Sequence, residues 1–141
     1  MNYDTFIKNN LIKKVKPDLV QIKHQLNRAA QDLETAQANL KIDPTWALTI
    51  AYHAMIRAGR ALMYSKGYLP TASQTHKTIV EFTKLALGHD YHDLLAKFNR
   101  LRRRRHHFIY DSENHVNHEE AMTALETARK LIFEIRGMVK F

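Results

Sequence analysis

The chain has no cysteine, which excludes disulfides, thiolate metal sites and a cysteine nucleophile. It has only four glycines and three prolines in 141 residues, too few for a turn-rich β-sandwich or barrel. Long apolar runs are missing as well. The longest stretch without a charged side chain is about Pro44 to Ile56, short of the roughly 18 apolar residues that a membrane span needs. The opening Met-Asn-Tyr-Asp is not followed by a basic, then apolar, leader pattern, so the expectation is a cytoplasmic protein without membrane contact.

What is present is an average globular balance, 45% hydrophobic and 26% charged, at the length of one domain. The charge is lopsided: 22 Lys+Arg against 14 Asp+Glu give +8, with nine histidines in addition. Arg100 and Arg102 to Arg105 are followed directly by His106 and His107. Such a concentrated basic segment attracts polyanions by releasing their counterions; the alternative, from charge alone, is a solvated helix face.

Proline and glycine divide the chain into helical segments. A short helix is expected from about Asp4 to Lys14, ending before Pro17. From Asp18 to Lys41, Leu19, Ile22, Leu26, Ala29, Leu33, Ala36 and Leu40 recur three and four apart, the pattern of one buried helix face. Asp43-Pro44 starts the next helix, because the Asp carboxylate accepts orphan amides and proline lacks an N–H at a position that needs none. That helix stops at Gly67, and its stripe of Ala47, Ile50, Ala51, Ala54, Ala58 and Ala61 suits close approach of neighbours, as in a central helix. After a loop at Tyr68-Leu69-Pro70-Thr71, a helix over about Ser73 to Leu87 ends at Gly88. Another spans about Asp90 to Ile109, and the last starts at Asn117 with Glu120 as a capping-box partner and runs through Met122, Leu125, Ala128, Ile132 and Ile135. No segment alternates with period two long enough for a strand. The reading is an all-α, antiparallel four-to-six-helix bundle, with residues 1–26 a helical N-terminal extension and 27–141 the bundle.

One arginine breaks the pattern of the fifth helix. Tyr91, Leu94, Leu95, Phe98, Leu101, Phe108 and Ile109 mostly fall on one arc centred near Phe98. At about 100° per residue Arg105 lies only about 20° from that centre. Arg103 and Arg104 project to the opposite side as solvated charge, and Arg102 sits at the edge of the arc. A buried guanidinium is costly unless it is hydrogen-bonded or lines a wet cleft. Two explanations stand: an anion-receiving cleft, or a structural ion pair with an acid on a neighbouring helix or in a dimer contact.

The central-helix segment from Ala51-Tyr-His-Ala-Met-Ile-Arg-Ala-Gly-Arg through Ser65-Lys-Gly-Tyr-Leu-Pro, followed downstream by Arg105-His-His-Phe-Ile-Tyr-Asp, resembles a HEPN domain (higher eukaryotes and prokaryotes nucleotide-binding). The resemblance runs from about Asn27 to Arg136. It implies an antiparallel helical bundle, a homodimer with two motif copies across a shared cleft, and RNA or a nucleotide as ligand. It also implies metal-independent ribonuclease activity in a toxin–antitoxin setting beside a small nucleotidyltransferase partner, with no cofactor. The family's usual motif is Arg, a polar residue, three further residues and His. Carried over, Arg105 matches the arginine, His106 the polar residue, and Tyr110 stands where the terminal His is usual. Arg105, His106 and Tyr110 are thus the implied catalytic residues.

The tyrosine changes the chemistry. Metal-independent cleavage needs a base for the ribose 2′-hydroxyl, an acid for the leaving oxygen and a cation for the phosphorane. Arg105 suits the last role. Tyrosine, with a pKa near 10, is a poor base at neutral pH beside histidine near 6.5, but it donates hydrogen bonds and stacks on bases. A rival register pairs Arg102 with His107 at the literal spacing, although His107 faces away from the arc. Arg102, Arg103, Arg104, His107 and Arg57 are further candidates for contacting nucleic acid; Tyr52, His53 and Arg57 flank the small-residue face of the central helix.

Other chemistries find less support. His89/His92 and His115/His118 have a chelating i,i+3 spacing but no recognisable third ligand, so no metal is expected. Gly-x-Ser-x-Gly, Walker and dinucleotide fingerprints are absent, as is a convincing helix-turn-helix tract. A different functional class remains open: a non-catalytic interaction module that docks on a nucleotidyltransferase, in which Arg105 is an ion-pair residue.

Overall fold

The computed structural model describes residues 2–110 and 115–139, leaving out the side chains of His106, Phe108, Ile109 and Tyr110. Six α-helices occur among these residues: α1 (Tyr3–Lys8), α2 (Leu19–Asn39), α3 (Pro44–Ser65), α4 (Thr75–Leu87), α5 (His92–Tyr110) and α6 (His118–Met138). A short ribbon joins β1 (Ile12–Lys14) to β2 (Tyr68–Pro70). The all-α expectation holds for the architecture.

Local chemistry sets the helix ends. Asp18 Oδ1 accepts from the amides of Val20 and Gln21 at 3.0 and 3.3 Å, and Asp43 Oδ1 from that of Trp46 at 3.1 Å with Pro44 opening α3. Asn117 Oδ1 accepts from the Glu120 amide at 2.8 Å. Gly67 and Gly88 follow α3 and α4 at φ 88° and 89°, a region that side-chain-bearing residues rarely enter.

Helix α3 is central: it packs on α2, α4, α5, α6 and β2. Its burial extends beyond the small-residue stripe to Leu48, Tyr52, Met55, Leu62 and Met63, while Ile50 is only partly covered. A short turn returns α2 into α3. Arg129 to Gln37 (2.6 Å) and Arg136 to Asn27 (2.8 Å) show α6 running antiparallel to α2. Two residues assigned inward by periodicity are exposed: Leu19, at the first position of α2, and Met122, in the first turns of α6. Near helix ends the neighbouring helix no longer covers the face.

The N-terminal segment differs from its expectation. Instead of one helix to Lys14, α1 stops at Lys8, Asn10 takes a positive φ of 56°, and β1 pairs antiparallel with β2, Ile12 opposite Pro70 and Lys14 opposite Tyr68. The expected loop at 68–71 is therefore largely strand. Three-residue strands are too short for a period-two pattern, and their partners lie more than fifty residues apart. Phe6 and Ile12 are buried in the main core, and Tyr3 stacks on Phe82 at 4.9 Å. The anticipated 26/27 boundary falls inside α2.

Where α3 crosses α4, contact is close enough to require glycine. A Cβ on Gly59 would lie 2.6 Å from Ile79 Cγ2 and 3.0 Å from Thr83 Oγ1. Ile79 is fully buried and stiff at its branch point, so it cannot swing aside. Gly59→Ala is expected to lower stability by about 1–2 kcal/mol, the overpacking strain outweighing the helix-propensity gain. A urea unfolding midpoint unchanged or raised by the substitution would show that the crossing tolerates the methyl.

Candidate functional site

The α3–α4 crossing brings the start of α4 up to the C-terminal half of α5, and an open hollow of about 680 Å³ lies between them. Gln74, Thr75, His76 and Lys77 form one wall, Arg102, Arg103, Arg105 and His107 the other. No carboxylate is among these lining residues, so four permanent cations face a common space. Gln74, at φ 52°, precedes α4 without a side-chain cap, and Thr75 Oγ1 turns back to Thr71 O at 3.0 Å. The positive end of α4 therefore adds to the field.

Arg105 comes from the inward arc, as its angular position predicts, and is partly buried. Its guanidinium carbon stands 5.8 Å from the centroid of the Tyr52 ring, within cation–π range. Its Nε is buried with no hydrogen-bond partner among the described residues. The ion pairs found among those residues are Arg28–Asp32, Arg57–Asp32 and Arg104–Glu120; none involves Arg105.

Beneath it, Tyr52 is fully buried and its hydroxyl lies 2.9 Å from His76 Nδ1. The Tyr52 and His76 rings are 5.6 Å apart, and His53 meets His76 edge-on at 6.3 Å. Burial pushes the Tyr52 pKa up, only partly offset by the Arg105 and Arg102 charges, so the phenol keeps its proton. Burial, followed by the charges of Arg105, His53, Arg60 and Arg102, takes His76 down to about 4. Burial and Arg105 also lower His53, against the pull of Asp32. At neutral pH His76 is an uncharged imidazole among cations.

The other candidates separate. Arg102 donates from Nε to Asn99 at 3.1 Å and lines the hollow, with Arg103 exposed beside it. His107, expected to face away, borders the same hollow, because the cavity wraps around α5 and angular position alone parts residues that share it. Arg104 is not solvated charge: Nε meets Glu120 Oε1 at 2.7 Å and Nη2 meets His115 O at 3.2 Å, placing it in a groove against α6. Glu120 thus serves the cap through its amide, while its carboxylate binds Arg104. Arg57 does not share the Arg105 cleft either. It is held by Asp32 at 3.3 Å and Gln25 at 2.8 Å in a separate hollow with His53 and Arg60. The side chains of His106 and Tyr110 lie outside the described residues.

Sequence reasoning missed His76. It stands in the first turn of a helix with no capping signal, and its partner Tyr52 is 24 residues away. His89 and His92 border another hollow with Glu81, and no group of three metal-ligating side chains occurs among the described residues. Among them, too, no helix is long and apolar enough to cross a membrane.

Fold and site together define an all-helical bundle with a hollow at the end of its penultimate helix that the described residues line with cations and no carboxylate. The HEPN domain model matches residues 22–138, most of the chain, and the protein belongs to the HEPN domain family. No curated protein matches it.

The electrostatics have a direct consequence. His76 titrates lower in the folded chain than its ordinary value near 6.5, so the unfolded chain takes up the proton first as pH falls. Its contribution to stability is complete above about 6.5 and is lost as pH drops toward 4. Removing the Arg105 charge takes away a force that opposes protonation. Arg105→Met is therefore expected to raise the His76 pKa in an NMR titration of its ring protons; an unmoved or lowered value would contradict the assigned cause.

Proposed function

We propose that this HEPN protein binds RNA, or a nucleotide, through phosphate contacts in the hollow between α4 and α5. The observation that carries the reading is Arg105: a partly buried guanidinium whose Nε has no partner among the described residues, in a space that those residues line with three further cations and no acid. A buried donor without an acceptor costs free energy, and a phosphate oxygen supplies both the acceptor and the countercharge. Tyr52 holds the guanidinium from below, leaving its edge for the ligand.

In this reading Arg105 engages the phosphate, Arg102 and Arg103 draw in the strand, and His107 and Lys77 border the path. Arg104 and Arg57, already held by Glu120 and Asp32, contribute positive potential rather than direct contacts. The reaction it supports is metal-independent RNA cleavage, with Arg105 stabilising the charge that develops on the phosphorus oxygens and His106 and Tyr110 at the motif positions beside it. The proposal extends to a homodimer, as the resemblance implies, and to a toxin–antitoxin role beside a nucleotidyltransferase.

Binding of a labelled single-stranded RNA at low salt tests the reading. Affinity should fall steeply with salt, log K against log [salt] having a slope of about −0.7 for each phosphate neutralised, or about −2 to −3 here. Arg105→Ala should weaken binding by roughly 10–100-fold, the worth of a charge-assisted hydrogen bond, while circular dichroism stays helical. Absence of RNA retention at low salt would favour a non-catalytic interaction module instead.

A further inference from the structure

We propose that His76 is the proton-transferring catalytic residue of this site, taking the proton of the ribose 2′-hydroxyl, and that Tyr52 is its positioning residue. The inference rests on the reading of the hollow as an RNA phosphate site and adds a group from α4, outside the arginine motif of α5.

Geometry singles out His76 among the described histidines nearby. Its Nδ1 is engaged by the Tyr52 hydroxyl at 2.9 Å. Its Nε2 has no hydrogen bond among the described residues, and the residue lines the same hollow as Arg105. Tyr52 is immobilised by complete burial and by packing on Phe98 at 6.2 Å, so its hydroxyl is a fixed anchor. With the phenol as donor to Nδ1, the neutral imidazole carries its proton on Nε2, and this tautomer is not a base at that nitrogen. With the roles reversed, Nδ1–H donating to the Tyr52 hydroxyl oxygen, Nε2 carries the lone pair that takes the substrate proton. His53, by contrast, is exposed and lines the Arg57 hollow, and His107 is exposed on the rim.

The ring of Tyr52 is the common neighbour of the two groups the reaction needs. Arg105 Cζ lies 5.8 Å from its centroid and the His76 ring 5.6 Å. A phosphate seated on Arg105 therefore has its adjoining ribose within the same hollow as His76. Burial first, then the charges of Arg105, His53, Arg60 and Arg102, hold His76 low in the free protein, and Lys77 of α4 lines the same hollow. An incoming phosphodiester offsets those charges and raises the proton affinity of the imidazole just where a base is required.

The step balances without a further reagent. The 2′-hydroxyl proton passes to Nε2, and the oxygen's electron pair forms the 2′-O–P bond. The P–O5′ bond breaks with its electron pair on O5′, which takes a proton from water. The imidazolium then returns its proton to solvent, leaving a 2′,3′-cyclic phosphate and a 5′-hydroxyl end.

The full chain, a labelled RNA oligonucleotide and a chelator provide the test, with binding and single-turnover cleavage measured side by side. His76→Gln should keep RNA binding and lose cleavage by roughly 10²–10⁴-fold, the usual worth of acid–base catalysis. Added imidazole should restore part of the rate to His76→Ala, and Tyr52→Phe should slow cleavage and displace the acidic limb of the pH–rate profile. An all-2′-deoxy oligonucleotide should bind and remain intact. Cleavage by His76→Gln at the wild-type rate, or wild-type protein that binds RNA without cutting it, would overturn the role of His76 and leave the phosphate-site reading standing. Failure of the wild type to bind removes both. Should His76→Gln lose its helical signal, absence of imidazole rescue in a folded His76→Ala overturns the proposal.

Discussion

A guanidinium taken partly out of water has to be answered by something, and among the described residues around Arg105 the answer is a ring rather than a carboxylate. The face of Tyr52 offers quadrupole attraction without neutralising the charge, so the cation keeps its field, and its Nε has no acceptor among the described residues. The charge spreads into a hollow that also holds Lys77, Arg102 and Arg103, and it adds to burial in holding His76 and His53 below their ordinary titration range. Burial keeps the phenol protonated against the pull of this cation, and burial together with the cation keeps the imidazoles low.

That arrangement depends in turn on how closely α4 approaches α3. Gly59 lets Ile79 and Thr83 sit against the central helix, and this contact sets where the first turn of α4 lies. Three residues before Ile79 is His76, whose reach to Tyr52 is thereby decided. The β1–β2 ribbon, with Thr71 Oγ1 bonded to Asn10 O at 2.8 Å, anchors the segment leading into α4 from the other side. A packing feature deep in the core thus places a chemical group at the surface.

The arginine run shows how one compositional feature divides into different physical roles. Arg104 is consumed by Glu120, and Arg57 on α3 by Asp32 and Gln25; each stabilises a helix pairing. Arg102, Arg103 and Arg105 stay with the hollow. Net charge predicts attraction to polyanions but cannot say which cations are already spent, because ion pairing depends on what faces each side chain from another helix.

Much of the fold was legible residue by residue. Asp43-Pro44, Gly67, Gly88 and Asn117 mark helix ends through backbone chemistry that acts within a few residues, and the periodicity around Phe98 placed Arg105 on the inward arc. The three-residue strands were not legible, nor were Tyr52 as the floor of the site, His76 as its second wall and Glu120 as the partner of Arg104. Caps and helical periodicity arise from interactions no more than about four residues apart, so they are written in the local order of side chains. The Tyr52–His76 bond and the β1–β2 pairing join positions tens of residues apart. Only the crossing of whole helices, set by core volume and by the single close contact at Gly59, decides which of those positions meet.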